Sequence, residues 1–152
     1  MRVYLASPLG FNPEHNDYRQ RIKNHLSSQG HEIFDPWEQD NSSQAINTAL
    51  LKESPEERRA AITLAAAYTG KVNASGIESS DVILAVLDGT EIDSGTASEV
   101  GYAAGIGKKC YGLRTDFRNM GDLPGLPINL QVMYFITSTG GELFRRTDNI
   151  TL

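Results

Sequence analysis

The chain has 152 residues, 39% of them hydrophobic and 22% charged, proportions that suit a folded globular domain and exclude a disordered one. Fourteen Lys and Arg against 19 Asp and Glu leave a formal charge of −5, which lacks the basic footprint nucleic acid demands. No Lys/Arg run exceeds two residues and no apolar stretch approaches the roughly 20 residues of a membrane span, so small neutral or cationic ligands fit better than nucleic acid or a bilayer.

Arg2-Val-Tyr-Leu-Ala6 reads as a first strand, closed by Ser7-Pro8-Leu9-Gly10. From Glu14 to Gln29, Tyr18, Ile22 and Leu26 recur every four residues, which predicts an amphipathic helix stopped by Gly30. His31–Phe34 follows as a second strand before Asp35-Pro36, and Asp40–Gln44 reads as a polar loop. Ser54-Pro-Glu-Glu57 combines a Ser cap, Pro at the first helical position and capping-box spacing, a strong helix start. The Ala-rich run to Tyr68 continues that helix, while Gly70 and Gly76 predict a break or bend before Ser79. Asp81–Leu87 is the third strand, Ala97–Ile106 a helix and Lys109–Leu113 the fourth strand. Met133–Ile136 is read as a fifth strand after a Gly- and Pro-rich loop.

Strands alternating with helices predict an α/β fold: one flavodoxin-like, doubly wound domain over residues 1–152, with a five-stranded parallel sheet. The first and third strands then lie side by side at the switch point, where such sheets bind ligands. That puts the Tyr4–Phe11 loop beside the Asp88–Glu99 loop, with the site between them.

The second of those loops carries the chemistry. Asp88, Asp93 and Glu99 stand among glycines just after the apolar run Val82–Leu87, a set of acids suited to stabilising or attacking a cationic centre. Ordinary roles compete with this. Thr96-Ala-Ser-Glu99 has capping-box spacing, in which Glu99 bonds the N–H of Thr96, and Asp88 and Asp93 suit turns. No Gly-Lys-Ser/Thr loop or G-x-G-x-x-G follows the first strand. His15, His25 and His31 have no partners at zinc spacing, and Ser94 and Ser98 have no nearby His. Neither a metal nor an organic cofactor is expected. The lone Cys110 excludes an internal disulfide and, with no signal peptide at Arg2–Ala6, points to a reducing cytoplasm.

Three segments in order, Tyr4-Leu-Ala-Ser-Pro8, Asp93-Ser-Gly-Thr-Ala-Ser-Glu99-Val-Gly-Tyr-Ala and Pro127-Ile-Asn129-Leu-Gln131, resemble the nucleoside 2-deoxyribosyltransferases across nearly the whole chain. The resemblance implies exchange of the base of a 2′-deoxynucleoside for another free base. Glu99 would be the nucleophile that forms a covalent deoxyribosyl ester, and Tyr4 would orient it. Asp93 would bind the sugar's 5′-hydroxyl, and Asn129 would reach the same hydroxyl in a neighbouring subunit's site, which implies a homo-oligomer. Gln131 follows in that segment as a further candidate contact.

One departure stands out. Where the family commonly carries an Asp that protonates or holds the base, this chain has Asn73 by spacing from Ser80-Asp81. An amide can hold a base but cannot protonate it, so the proton comes from elsewhere, with Asp88 as a substitute, or the register differs. Phe11 and Trp37 are candidates to stack on the base, and equally suit core or interface. Two rivals remain: an N-glycoside hydrolase of 2′-deoxynucleosides or deoxynucleoside 5′-monophosphates, and a non-catalytic nucleotide- or base-sensing module.

Overall fold

The computed structural model describes all 152 residues. Five strands, β1 (Arg2–Ala6), β2 (Glu32–Phe34), β3 (Val82–Val86), β4 (Lys109–Leu113) and β5 (Leu143–Phe144), form one parallel sheet in the order β2-β1-β3-β4-β5. This is the flavodoxin-like order, with β1 and β3 adjacent: Tyr4 pairs with Ile83 and Ala6 with Ala85. Every residue of β3 is buried, as a central strand covered on both faces must be.

Alternation along the strands divides the core into two layers. Val3, Leu5, Val82, Leu84 and Val86 face helix α1 (Asn16–Ser28), which contributes Ile22 and Leu26. Tyr4, Ala6, Ile83, Ala85 and Leu87 face the opposite layer, made by α3 (Pro55–Ser79), α4 (Ser94–Gly105) and α5 (Leu130–Ser138). The second layer therefore holds the only aromatic side chain of β1, Tyr4, against the helices that carry Asn73 and Glu99.

Three sequence expectations are corrected. Asp40–Gln44 is not a loop but the start of α2 (Asp40–Leu50), a helix made of weak formers that is stabilised by packing on α3. Helix α3 runs unbroken through Gly70 and Gly76; at Gly76 a Cβ would lie 2.4 Å from Phe34, so the missing side chain lets helix and ring approach. Met133–Ile136 is helix rather than strand. Asn129 caps α5, its Oδ1 accepting from the backbone N–H groups of Gln131 (3.0 Å) and Val132 (3.2 Å), and the fifth strand is the two-residue β5. No helix is long and apolar enough to cross a membrane.

Candidate active site

Glu99 lies in the second turn of α4, half-buried, facing β1. The capping-box expectation fails here, because the helix starts three residues earlier than Ala97. Asp93 is its N-cap: Oδ2 accepts from the Thr96 backbone N–H (2.8 Å) and Thr96 Oγ1 (3.1 Å). The Thr96 N–H is thus occupied, and Glu99 is released for other partners.

Those partners converge on one oxygen. Tyr4 donates its O–H to Glu99 Oε1 at 2.6 Å, and Asn73 Nδ2 donates to the same Oε1 at 3.3 Å. Glu99 Oε2 accepts no hydrogen bond from the chain. Tyr4 is fully buried and stacked on Phe34 at 5.4 Å between centroids, so its hydroxyl is fixed by packing on both faces of the ring. Burial raises the Glu99 carboxyl above its ordinary range; the bond from Tyr4 opposes that, nearby Asp93 adds to it, and the bond from Asn73 opposes it. Burial and then the Glu99 charge push the Tyr4 phenol far above its usual value, so it remains a donor.

Around this pair lies a cavity of about 270 Å³ lined by residues from five separate segments, one of them α2 through Ile46. Ser7 and Phe11 come from the loop after β1, Pro36 and Trp37 from the loop after β2, Thr69 and Asn73 from α3, and Asp93 to Glu99 from α4. Trp37 is locked in place. Its N–H groups bond Asp35 Oδ1 (3.0 Å, backbone) and the Ser7 carbonyl (2.7 Å, indole), and Gly10 lies so close that a Cβ would fall 2.0 Å from the ring. Asp35 itself is buried between Arg19 (3.6 Å) and Lys23 (3.8 Å). Phe11 stands edge-on to Trp37 at 4.5 Å and is 74% exposed, an apolar flap at the cavity mouth.

The cavity therefore brings together Glu99, Asp93, Asn73, Phe11 and Trp37, with Tyr4 immediately behind Glu99. It does not include Asp88. That carboxylate accepts from the backbone N–H groups of Thr115 (2.6 Å) and Asp116 (2.7 Å), from Tyr18 (3.0 Å) and from the Thr115 hydroxyl, and so ties the end of β3 to the segment after β4. The structure thus does not bring Asp88, the substitute acid expected from the sequence, to the Glu99 cavity. Asn129 lines a different cavity, of about 430 Å³, with the buried Arg114 and the exposed Asp122; its Nδ2 donates to Asp122 Oδ1 at 3.3 Å. Gln131 is exposed on α5 and reaches neither cavity, because Asn129 starts a helix that turns it outward.

Thr69 and Ile46 were not legible as site residues. Thr69 sits one turn before Asn73 on α3, and its Oγ1 is buried without a partner. The i, i+4 spacing to Asn73 was the only signal available. No group of three or more His, Cys, Asp or Glu side chains is placed to hold a metal ion.

The family model for nucleoside 2-deoxyribosyltransferase matches residues 3–131, and the chain belongs to that family. Membership puts it among enzymes that act at the N-glycosidic bond of nucleosides. A 2-deoxyribosyltransferase from the psychrotolerant bacterium Bacillus psychrosaccharolyticus has the same fold: it is 23% identical, with a TM-score of 0.63 over 100% of this chain and 93% of that one. A conserved protein from Enterococcus faecalis V583 is 21% identical, with a TM-score of 0.71 over 98% of this chain and 93% of that one. A CMP N-glycosidase from Clostridium botulinum is 14% identical, with a TM-score of 0.56 over 97% and 92%. A comparison with curated proteins finds no match.

Proposed function

We propose that the protein transfers the 2-deoxyribosyl group of a 2′-deoxynucleoside to a free purine or pyrimidine base, by double displacement through a glycosyl ester on Glu99. The observation that carries this reading is the asymmetry of the Glu99 carboxylate, which lines the cavity with Oε1 held by two donors and Oε2 accepting no hydrogen bond from the chain. Oε2 attacks C1′ as the C1′–N bond breaks, and the electron pair leaves with the base. A second base then attacks the same carbon and expels Glu99, so two inversions retain the configuration. A carboxylate suits this because it stabilises the oxocarbenium-like transition state before the bond has formed.

Asp93 keeps Oδ1 free of hydrogen bonds within the chain and can accept the sugar's 5′-hydroxyl, with a phosphate at that position disfavoured by charge. Trp37 and Phe11 offer flat apolar faces to a base. Because Asn129 lies outside the Glu99 cavity of its own chain, its family role belongs to the site of a neighbouring copy, in a homo-oligomer. The one cysteine is buried and free, in keeping with work in nucleoside salvage in the cytoplasm.

The test is chromatography of the purified protein with thymidine or deoxyinosine, with and without free adenine. Formation of deoxyadenosine supports transfer. Release of free base with no new nucleoside identifies a hydrolase on the same scaffold. Binding without any turnover favours the sensing module and overturns this reading.

A further inference from the structure

A base bound through an N-glycosidic bond leaves either as its conjugate anion or, if an acid protonates it as the bond breaks, as the neutral base. The groups lining the Glu99 cavity restrict that choice. Its ionisable side chains are Asp93 and Glu99 alone. Glu99 must be ionised to attack. Asp93 has Oδ2 committed to the N-terminus of α4, where it accepts from both the Thr96 N–H (2.8 Å) and the Thr96 hydroxyl (3.1 Å). The Tyr4 proton is already committed to Glu99 Oε1.

Asn73 completes the argument. A carboxylate only accepts hydrogen bonds, so the amide must turn its nitrogen toward Glu99, and Nδ2 lies 3.3 Å from Oε1. This leaves the acceptor Oδ1 for a base N–H. It also makes Asn73 a positioning residue for the nucleophile, since with Tyr4 it holds Oε1 and leaves Oε2 to react. A carboxyl group at position 73 would face Glu99 charge to charge.

We infer that the site selects donors whose base departs as a resonance-stabilised anion, with no proton from the protein, and that Asn73 sets this preference by serving Glu99 instead of the base. The inference rests on the glycosyl-transfer reading above and names its substrate class. The C1′–N pair stays on the base nitrogen and spreads over conjugated carbonyls, while the Oε2–C1′ bond forms. Negative charge passes from Glu99 to the base, which takes its proton from water after leaving. Uracil and thymine spread that charge over two carbonyls, and hypoxanthine over its carbonyl and imidazole nitrogens. Cytosine, with an amino group in place of one carbonyl, holds it less well. By reversibility, acceptor bases react as their anions.

The experiment measures kcat/KM, with saturating acceptor base, for 5-fluoro-2′-deoxyuridine, 2′-deoxyuridine, thymidine and 2′-deoxycytidine, which differ little in shape and widely in base acidity. The 2′-deoxyribosides of 6-chloropurine and adenine provide the same comparison for purines. Values should fall in the order given, and deoxycytidine should lie below deoxyuridine by on the order of 10²-fold, the size of a missing general acid. Asn73→Asp should flatten the series and move the acid limb of the pH profile upward, because two facing carboxyls retain a proton that one of them can give to the departing base. A flat wild-type series, or an Asn73→Asp protein with unchanged series and pH profile, overturns the inference. Should Asn73→Asp fail to fold, the wild-type series still decides. Cleavage of no donor at all overturns the glycosyl-transfer reading together with it.

Discussion

Asp88 and Glu99 are the two ends of one twelve-residue stretch, and the chain treats them in opposite ways. Asp88 is saturated: two backbone N–H groups and two hydroxyls bond its oxygens, and it ties the end of β3 to the segment after β4. Glu99 lines a cavity with both of its donors on one oxygen and no hydrogen bond from the chain on the other. A carboxylate with no lone pairs to spare is a fastener, and one with a fixed orientation and a free oxygen is a reagent. The same contrast separates Asn129, whose amide is used within its own chain as a cap, from Asn73, whose Oδ1 remains open.

Exchanging the roles of the two acids should have unequal effects. Glu99→Gln should abolish base exchange, with a loss on the order of 10³-fold or more, while circular dichroism and thermal midpoint stay near wild type. Asp88→Ala should do the reverse. It should cost about 1–3 kcal/mol in a denaturant titration by stranding the Thr115 and Asp116 N–H groups, and leave turnover per folded molecule within a few-fold of wild type. A Glu99→Gln protein that still exchanges bases would erase the distinction.

Tyr4→Phe removes one of the two donors on Oε1 and keeps the stack on Phe34. Exchange should slow by roughly 10- to 100-fold, the worth of a hydrogen bond to a charged group, with kcat bearing the loss and KM nearly unchanged. Equal rates for the two proteins would show that Asn73 alone orients the nucleophile.

The pH dependence sharpens the contrast further. Burial raises the folded-state pKa of Glu99 above its unfolded value, so between the two values the native state holds the extra proton. Stability from this group is therefore present at lower pH and is lost as pH rises through the raised pKa, while activity is gained over the same interval. Exchange should show an acid limb above the ordinary carboxylate range, and Glu99→Gln should remove the matching slope from stability measured against pH. Superposition of the stability profiles of wild type and variant would contradict it. The smallest effect belongs to Gln131→Ala, which should change neither exchange nor stability by more than about 0.5 kcal/mol, because the side chain is exposed and touches neither cavity.

The first four strands were legible because each is a short apolar run between turn residues, and their alternation with helices dictated the sheet order. The run Met133-Tyr-Phe-Ile136 was misread for a physical reason: four apolar residues carry no period, and the deciding signal was the Asn129 cap that precedes them. Helix α2 escaped notice because its first turn is built from Asp, Asn and Ser, which favour turns until α3 supplies a packing surface. Within the site, Tyr4, Asn73, Asp93 and Glu99 were visible through family motifs. Thr69 and Ile46 were not, since nothing local marks a side chain that reaches a cavity only through tertiary packing. The Thr96–Glu99 spacing misled because Asp93, three residues earlier, wins the contest for the Thr96 N–H.

The central claim is that the bare oxygen of Glu99 becomes covalently bound to the sugar. Mass spectrometry of the protein quenched during turnover of a 2′-deoxynucleoside without acceptor base tests it directly. The account predicts a mass gain of one deoxyribosyl group, localised to the peptide carrying Glu99 and chased away by added base. Steady turnover with no adduct on that peptide would contradict it.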